Sequence, residues 1–197
     1  MGLILCEEIN MTNKLTGYKK LSINDLKKFE YNLEHIRNAA IFFKDHFLSK
    51  EMIYFTEKET TSVIFKRSNF MHLCGIHYES GATEFFNLAL LKQIDLSKVF
   101  IKNDGTTFQK LSVLSSIDFL INPEITLSSG AIYLNLSFDK ALRTKTKVFA
   151  LTLINDEHLF IPQSLLNLRA MNNFPKGNKI IGIKSVHLED KTEIIYL

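Results

Sequence analysis

Residues 68–82 read Ser-Asn-Phe-Met-His-Leu-Cys-Gly-Ile-His-Tyr-Glu-Ser-Gly-Ala, which sets His72, Cys74, His77 and Tyr78 close together. Three chemistries could use such a group: metal ligation, a thiol nucleophile, or proton transfer by imidazole. Ligation fits poorly. His72, Cys74 and His77 are followed by no second pair at ligand spacing and by no His-Glu-x-x-His, so no metal is expected. Cys74, between Leu73 and Gly75, reads as a small buried hydrophobe rather than a nucleophile. His72 keeps two readings. If 70–74 is extended, Phe70, His72 and Cys74 share one face, with Met71 and Leu73 on the other. The imidazole is then either a core-edge group bonded to backbone, or a titrating group beside a glycine that lets backbone or ligand approach.

Cations and hydroxyls supply the second set. Residues 138–147, Phe-Asp-Lys-Ala-Leu-Arg-Thr-Lys-Thr-Lys, hold Lys140, Arg143, Lys145 and Lys147 with hydroxyls at Thr144 and Thr146 and one acid. The segment reads either as a solvated loop ahead of a strand or as a holder of phosphates, with arginine making two-pronged contacts. Lys110 and Arg169 are isolated cations. Ser164 follows a strand and Pro162, a place where a serine caps the next turn. The chain has no phosphate-cradling Gly-rich loop and no Gly-x-Ser-x-Gly elbow.

These residues must be positioned by a chain of 197 residues, enough for one domain with a sizeable core. Residues 1–49 read as a tail and an amphipathic helix, and 50–197 as an α+β part forming one unit with it. Sixteen Phe and no Trp put most rings in the core, because Phe has no polar handle. A net charge of +3 permits a nucleic-acid partner without defining a patch. Two cysteines make no disulfide framework. Gly2 with Cys6 resembles an acylation signal, but Cys6 stands where Ser or Thr is needed. The apolar start is too short for a secretory signal, and no run approaches 18 apolar residues. A cytoplasmic protein without a membrane partner is expected, its first ten residues a short strand or loose tail.

Leu26, Phe29, Leu33, Ile36, Ala40, Phe43 and Phe47 recur at steps of three and four, predicting a helix over 24–48 capped by Ser22 or Asn24. Strands follow at about 52–56 and 61–66, with 70–76 continuing extended. A helix from the capping Ser80 comes next, then an Asn-Asp-Gly turn, then a helix over 108–121 ended by Asn122-Pro123. Alternation over 131–139 predicts one half-buried strand. Two hairpins turn at 155–157 and 189–191, with a short helix or turn over 164–171. The order gives an α+β fold: a long N-terminal helix and further helices packed on a twisted, mainly antiparallel sheet.

The order of motifs, from Ile-Phe-Lys-Arg-Ser-Asn-Phe-Met-His-Leu-Cys-Gly-Ile-His-Tyr through Asn-Asp-Gly-Thr-Thr-Phe-Gln-Lys to a strand ending Leu-Phe-Ile-Pro-Gln-Ser, resembles a family. It is the phage-associated barnase/EndoU/colicin/RelE-like nucleases of Firmicutes prophages and mobile elements. A Phe-x-His-Leu-x-Gly-Ile segment is matched by Phe70, His72, Leu73, Gly75 and Ile76, and the similarity covers about residues 50–170. The resemblance implies metal-independent RNA cleavage by attack of the ribose 2′-hydroxyl, with no cofactor. It points to His72 for proton transfer, Lys110 as the cation on phosphate and Ser164 on a non-bridging oxygen, with Arg143, Lys145 and Arg169 assisting. RNA is the implied partner. Two features favour an alternative: the charge excess is small for gripping RNA, and few stacking aromatics can be assigned. The alternative is a catalytically inactive phage protein that binds and inhibits a host protein or nucleic-acid complex, such as a defence system; a host protein or a cognate inhibitor is a further candidate partner. An accessory virion protein is a third class. The sequence leaves the oligomeric state open.

Overall fold

The longest element is started by a serine. In a computed structural model describing residues 15–133, 136–146, 148–157, 159–169 and 173–197, Ser22 forms a capping box with Asp25 at the head of helix α1, Ile23–His46. Gly2 and Cys6, and with them the short-strand-or-tail reading of the chain's start, lie outside the described residues. Phe29, Ile36, Ala40 and Phe43 of the predicted stripe are buried, with Phe47 just past the helix.

A three-stranded sheet takes β1 (Tyr18–Lys20), β4 (Ile76–Tyr78) and β5 (Val99–Lys102) in the order β1-β5-β4. The larger sheet contains β2 (Lys50–Thr56), β3 (Thr60–Ile64), β6 (Ile125–Tyr133), β7 (Leu136–Thr144), β8 (Phe149–Asp156), β9 (Leu159–Asn167), β10 (Asn178–His187) and β11 (Glu193–Ile195). Its order is β11-β10-β2-β3-β9-β8-β7-β6, and β10 also pairs with β6 through Asn178–Leu127 and Lys179–Thr126, so the strands curl round into a ring. The contacts are antiparallel except where β3 meets β9 in parallel at Val63–Phe160. Helices α2 (Asn69–Cys74) and α4 (Thr106–Leu111) pack against β9. Helix α3 (Ala82–Leu91) packs on α1 and α2. The fold is α+β, as expected.

Several local expectations are corrected. Residues 69–74 are helical, not extended. Six residues are too few to separate a period of 3.6 from one of 2, and the signal lay in Gly75, which ends α2 in the left-handed region at φ 68°. Helix α3 starts at Gly81 without a side-chain cap, so Ser80 does not cap it. The helix expected over 108–121 is α4 followed by a 3₁₀ stretch, Leu114–Ile121. The predicted single strand 131–139 is a hairpin: Tyr133 pairs with Leu136, and Leu134 and Asn135 lie outside the described residues. Reversal over an even number of residues preserves alternation, and no Gly or Pro marks it. The cation-rich segment is not a loop, because β7 continues to Thr144. Residues 164–167 are strand rather than helix or turn. Pro162 does not stop β9, since it sits opposite Leu153 where the register shifts, a place that tolerates a missing N–H.

The core is rich in Phe. Phe43 of α1 stacks on Phe65 at 4.4 Å between ring centroids, and Phe70 of α2 lies 6.1 Å from Phe43, 5.9 Å from Phe85 and 5.3 Å from Phe86. One buried cluster joins α1, the helices and the inner face of the sheet. A smaller one, Phe138, Ala141, Ala150, Leu168 and Phe174, covers the other side of β7 and β8.

Candidate active site

Phe70 fixes α2, and α2 fixes His72. With Phe70, Met71, Leu73 and Cys74 turned inward, the helical step of about 100° per residue sends the side chain two positions after Phe70 away from the core. His72 is accordingly exposed. Its pKa is lowered, first by partial desolvation and then by the positive charges of Lys110, Lys102 and His77, which favours the neutral ring. The buried Cys74 thiol has its pKa raised by desolvation, which suits packing and not attack.

The end of α2 is where three separated segments meet. Two donors reach the His72 carbonyl, the Gly75 N–H at 3.0 Å and the Lys110 ammonium at 3.0 Å. Helix carbonyls without an intrahelical partner attract cations. From the same Nζ, Lys110 donates to the Ser164 hydroxyl of β9 at 2.8 Å. Thr107 holds the frame: its buried hydroxyl donates to the Gly75 carbonyl at 2.5 Å and accepts the Lys102 N–H at 2.9 Å. One side chain thus ties α4, the end of α2 and the end of β5 together. Asn167, three residues after Ser164, reaches the Ser112 hydroxyl at 3.0 Å and secures β9 to the end of α4.

Lys110 is the electrostatic centre. Both acceptors that it contacts are neutral, and it makes no ion pair with a described carboxylate. Its pKa falls to about 8, chiefly through desolvation, with the charge of Lys102 lowering it further and Asp104 opposing the shift from a distance. A half-buried ammonium with neutral partners is an unmet demand for an anion. Ser164, 8% exposed, accepts from Lys110 and keeps its own proton to donate.

The structure therefore brings His72, Lys110 and Ser164 together, through the backbone carbonyl of His72 and not through its ring. The other sequence candidates stand elsewhere. Arg143 is 8% exposed on β7 and donates from Nη1 to the Pro175 carbonyl at 3.1 Å. Register puts it two strands and two residues from Ser164, roughly 12 Å from strand spacings. Lys145 pairs with Glu124 at 3.3 Å. Lys140 is engaged by Glu59 and by Thr61, and Lys147 lies outside the described residues. Arg169 is exposed just past β9, two residues beyond Asn167. Sequence reasoning missed Thr107, Asn167 and Lys102. A Thr directly after the Asn-Asp-Gly-Thr turn was the available signal for Thr107; Asn167 and Lys102 carried none.

The concavities along α1 share none of these residues. One is lined by Leu33, Glu34, Arg37, Ala89, Lys92 and Ile94, and its acid is already paired with Lys92 at 3.1 Å and Arg37 at 3.3 Å. Among the described residues, no group of three or more His, Cys, Asp or Glu gathers, and no helix is long and apolar enough to cross a membrane.

No curated protein and no solved structure matches the chain. A family model does, over residues 35–196. That span is wider than the stretch carrying the motif resemblance: it starts in the middle of α1 and takes in the helices of His72 and Lys110 and the strand of Ser164. The chain belongs to the family described as phage-Barnase-EndoU-ColicinE5/D-RelE like nuclease4.

Proposed function

We propose that the protein is an endoribonuclease that cleaves RNA through attack of the ribose 2′-hydroxyl and needs no metal ion. In this reaction the 2′-oxygen bonds to phosphorus, the bond from phosphorus to the 5′-oxygen breaks, and a 2′,3′-cyclic phosphate and a 5′-hydroxyl result. The step needs a base for the 2′-proton, a proton for the leaving oxygen, and donors for the charge on the non-bridging oxygens. Neutral His72 takes the 2′-proton. Lys110, protonated at neutral pH with a pKa of about 8, holds the phosphate and is matched to returning a proton to the 5′-oxygen. Ser164 donates to a non-bridging oxygen. Arg169, exposed just past β9, is assigned a flanking phosphate; Arg143 and Lys145 reach substrate only by leaving Pro175 and Glu124.

The observation that carries this reading is the ammonium of Lys110, bonded at once to the His72 carbonyl and to Ser164 and in ion-pair contact with no described carboxylate. The test is incubation of the purified protein with total RNA in EDTA, beside a His72→Ala variant. Cleavage by the wild type and its loss in the variant support the reading. RNA left intact by both overturns it and favours a non-catalytic binder of a host protein or nucleic-acid complex.

A further inference from the structure

The small sheet has one face in the core and one turned outward. Val99 and Ile101 of β5 and Ile76 and Tyr78 of β4 are at most 1% exposed, and they anchor it. The alternate positions make the other face. Tyr18 pairs with Lys102, Lys20 with Phe100, and His77 with Phe100, so these five side chains stand together. None of the five is buried.

They form a strip in which rings alternate with cations. The His77 ring lies 5.9 Å from Tyr18 and 5.9 Å from Phe100. The Lys102 ammonium sits 4.0 Å from the centre of the Tyr18 ring, and that of Lys20 5.4 Å from Phe100. Core packing does not call for this arrangement, since the opposite face already holds the sheet down. Two acids stand near. Glu79 is 3.9 Å from Lys20, and Asp104, close to Lys102, accepts from the N–H and hydroxyl of Thr106.

The strip leads to the cluster at the end of α2. β5 passes through the 103–105 turn into α4, which carries Lys110, and β4 leaves α2 through Gly75. The charges of Lys102 and His77 are felt at His72, and that of Lys102 also at Lys110.

We propose that this face is a stacking platform for single-stranded RNA, with unpaired bases on Tyr18, His77 and Phe100 and phosphates against Lys20 and Lys102. It deepens the endoribonuclease reading and rests on it for the identity of the polymer. Rings presented on a flat sheet with ammonium groups set between them suit unpaired bases, whose faces a duplex hides. Three strands span about 10 Å between the outer two, room for two or three stacked bases. The strand then runs on toward Lys110, which receives the phosphate beyond the platform.

The test uses the full-length protein and a labelled 2′-O-methyl oligonucleotide of about 12 nucleotides, within the span that such surfaces bind. Its nucleophilic oxygen is blocked, so binding is read without cleavage. Tyr18→Leu and Phe100→Leu keep apolar cover on the sheet and remove the rings. Each is expected to weaken binding about 5–100-fold with an unchanged thermal midpoint. Lys102→Gln is expected to flatten the slope of log affinity against log salt by about 0.7. A duplex of the same sequence should compete poorly. The platform is overturned if the wild type does not bind the oligonucleotide, if both Leu variants bind as the wild type does, or if the duplex competes equally. Unmodified RNA is assayed in parallel. Ring-dependent binding without cleavage keeps the platform and rejects the nuclease reading; cleavage with ring-independent binding does the reverse.

Discussion

The stem of Lys110 lies across Gly75. A Cβ added at Gly75 would come 2.8 Å from Lys110 Cδ and 3.3 Å from the Thr107 Cα. Gly75 also sits at φ 68°, where an L side chain is strained. The glycine therefore does two things: it ends α2, and it leaves the space through which Lys110 reaches the His72 carbonyl and Ser164. Gly75→Ala should cost about 1–2 kcal/mol in urea unfolding from the backbone conformation. It should also push the Lys110 stem aside, lowering cleavage at a temperature where the variant is still folded. Cleavage equal to that of the wild type would separate the glycine from the site.

Lys110→Met probes the same side chain as a charge. The ammonium is disfavoured by its surroundings, so at pH 7 the folded state carries its cost, and removing the charge offsets the two lost hydrogen bonds. Stability should rise by about 1 kcal/mol while cleavage is lost. The pH dependence fixes the sign. The folded pKa of about 8 lies below the ordinary 10.5, so between these values the unfolded chain holds a proton that the folded chain has released. Wild-type stability must rise over that window relative to Lys110→Met, and the advantage of the variant must shrink. Parallel curves from pH 7 to 10.5 would show that the lysine is not desolvated.

Some of this arrangement was legible in the sequence and some was not, for physical reasons. The stripe from Phe29 to Phe47 defines α1 because about five turns give the helical period room to declare itself. His72, Lys110 and Ser164 are joined into one site only through motif order, because their meeting depends on β9 lying beside α2 and α4, and no local pattern encodes that juxtaposition. Read as extended, the segment puts His72 on the same face as Phe70. In the helix the two diverge, and the imidazole is on the surface because of the secondary structure that the short run concealed. Arg143 reads in sequence as a loop cation and is in the structure a strand residue bonded to Pro175. Density of charge along a sequence does not report which face a strand will bury.

The pH–rate profile follows from two groups whose surroundings both lower their pKa values. His72 works as a base only when unprotonated, so activity should climb with pH through a value below the usual 6.5. Lys110 works only when charged, so activity should fall as pH passes about 8. A bell with its maximum near neutral pH is expected for kcat/KM. His72→Ala should lose the acidic limb and about 100–10,000-fold in rate, as removal of a positioned proton-transfer group does. Ser164→Ala should lose less, about 10–100-fold, and keep both limbs, since a donor to a phosphate oxygen does not titrate in this range. An acidic limb that survives in His72→Ala would move the base to another residue.

Phe43 links the long helix to the site without touching it. The ring is fully buried, stacks on Phe65 and meets Phe70, the side chain that holds α2. Phe43→Ala should cost about 3–5 kcal/mol, because the surrounding rings are too stiff to fill the space. Phe43→Leu, which leaves a smaller void, should cost less. If α1 were only an appendage, the loss would be confined to the unfolding of the helix, and α2 would keep its geometry. In a shared core, loosening Phe70 lets α2 shift and carries the His72 carbonyl away from Lys110. Phe43→Leu is therefore expected to lower cleavage several-fold while the protein stays folded, and to raise the pKa of Lys110 toward its ordinary value as water enters, moving the alkaline limb upward. Unfolding in a single transition, followed by circular dichroism and by Tyr fluorescence, would place α1 in one cooperative unit with the sheet. Two separated transitions, with the alkaline limb unmoved, would make the helix a separate attachment.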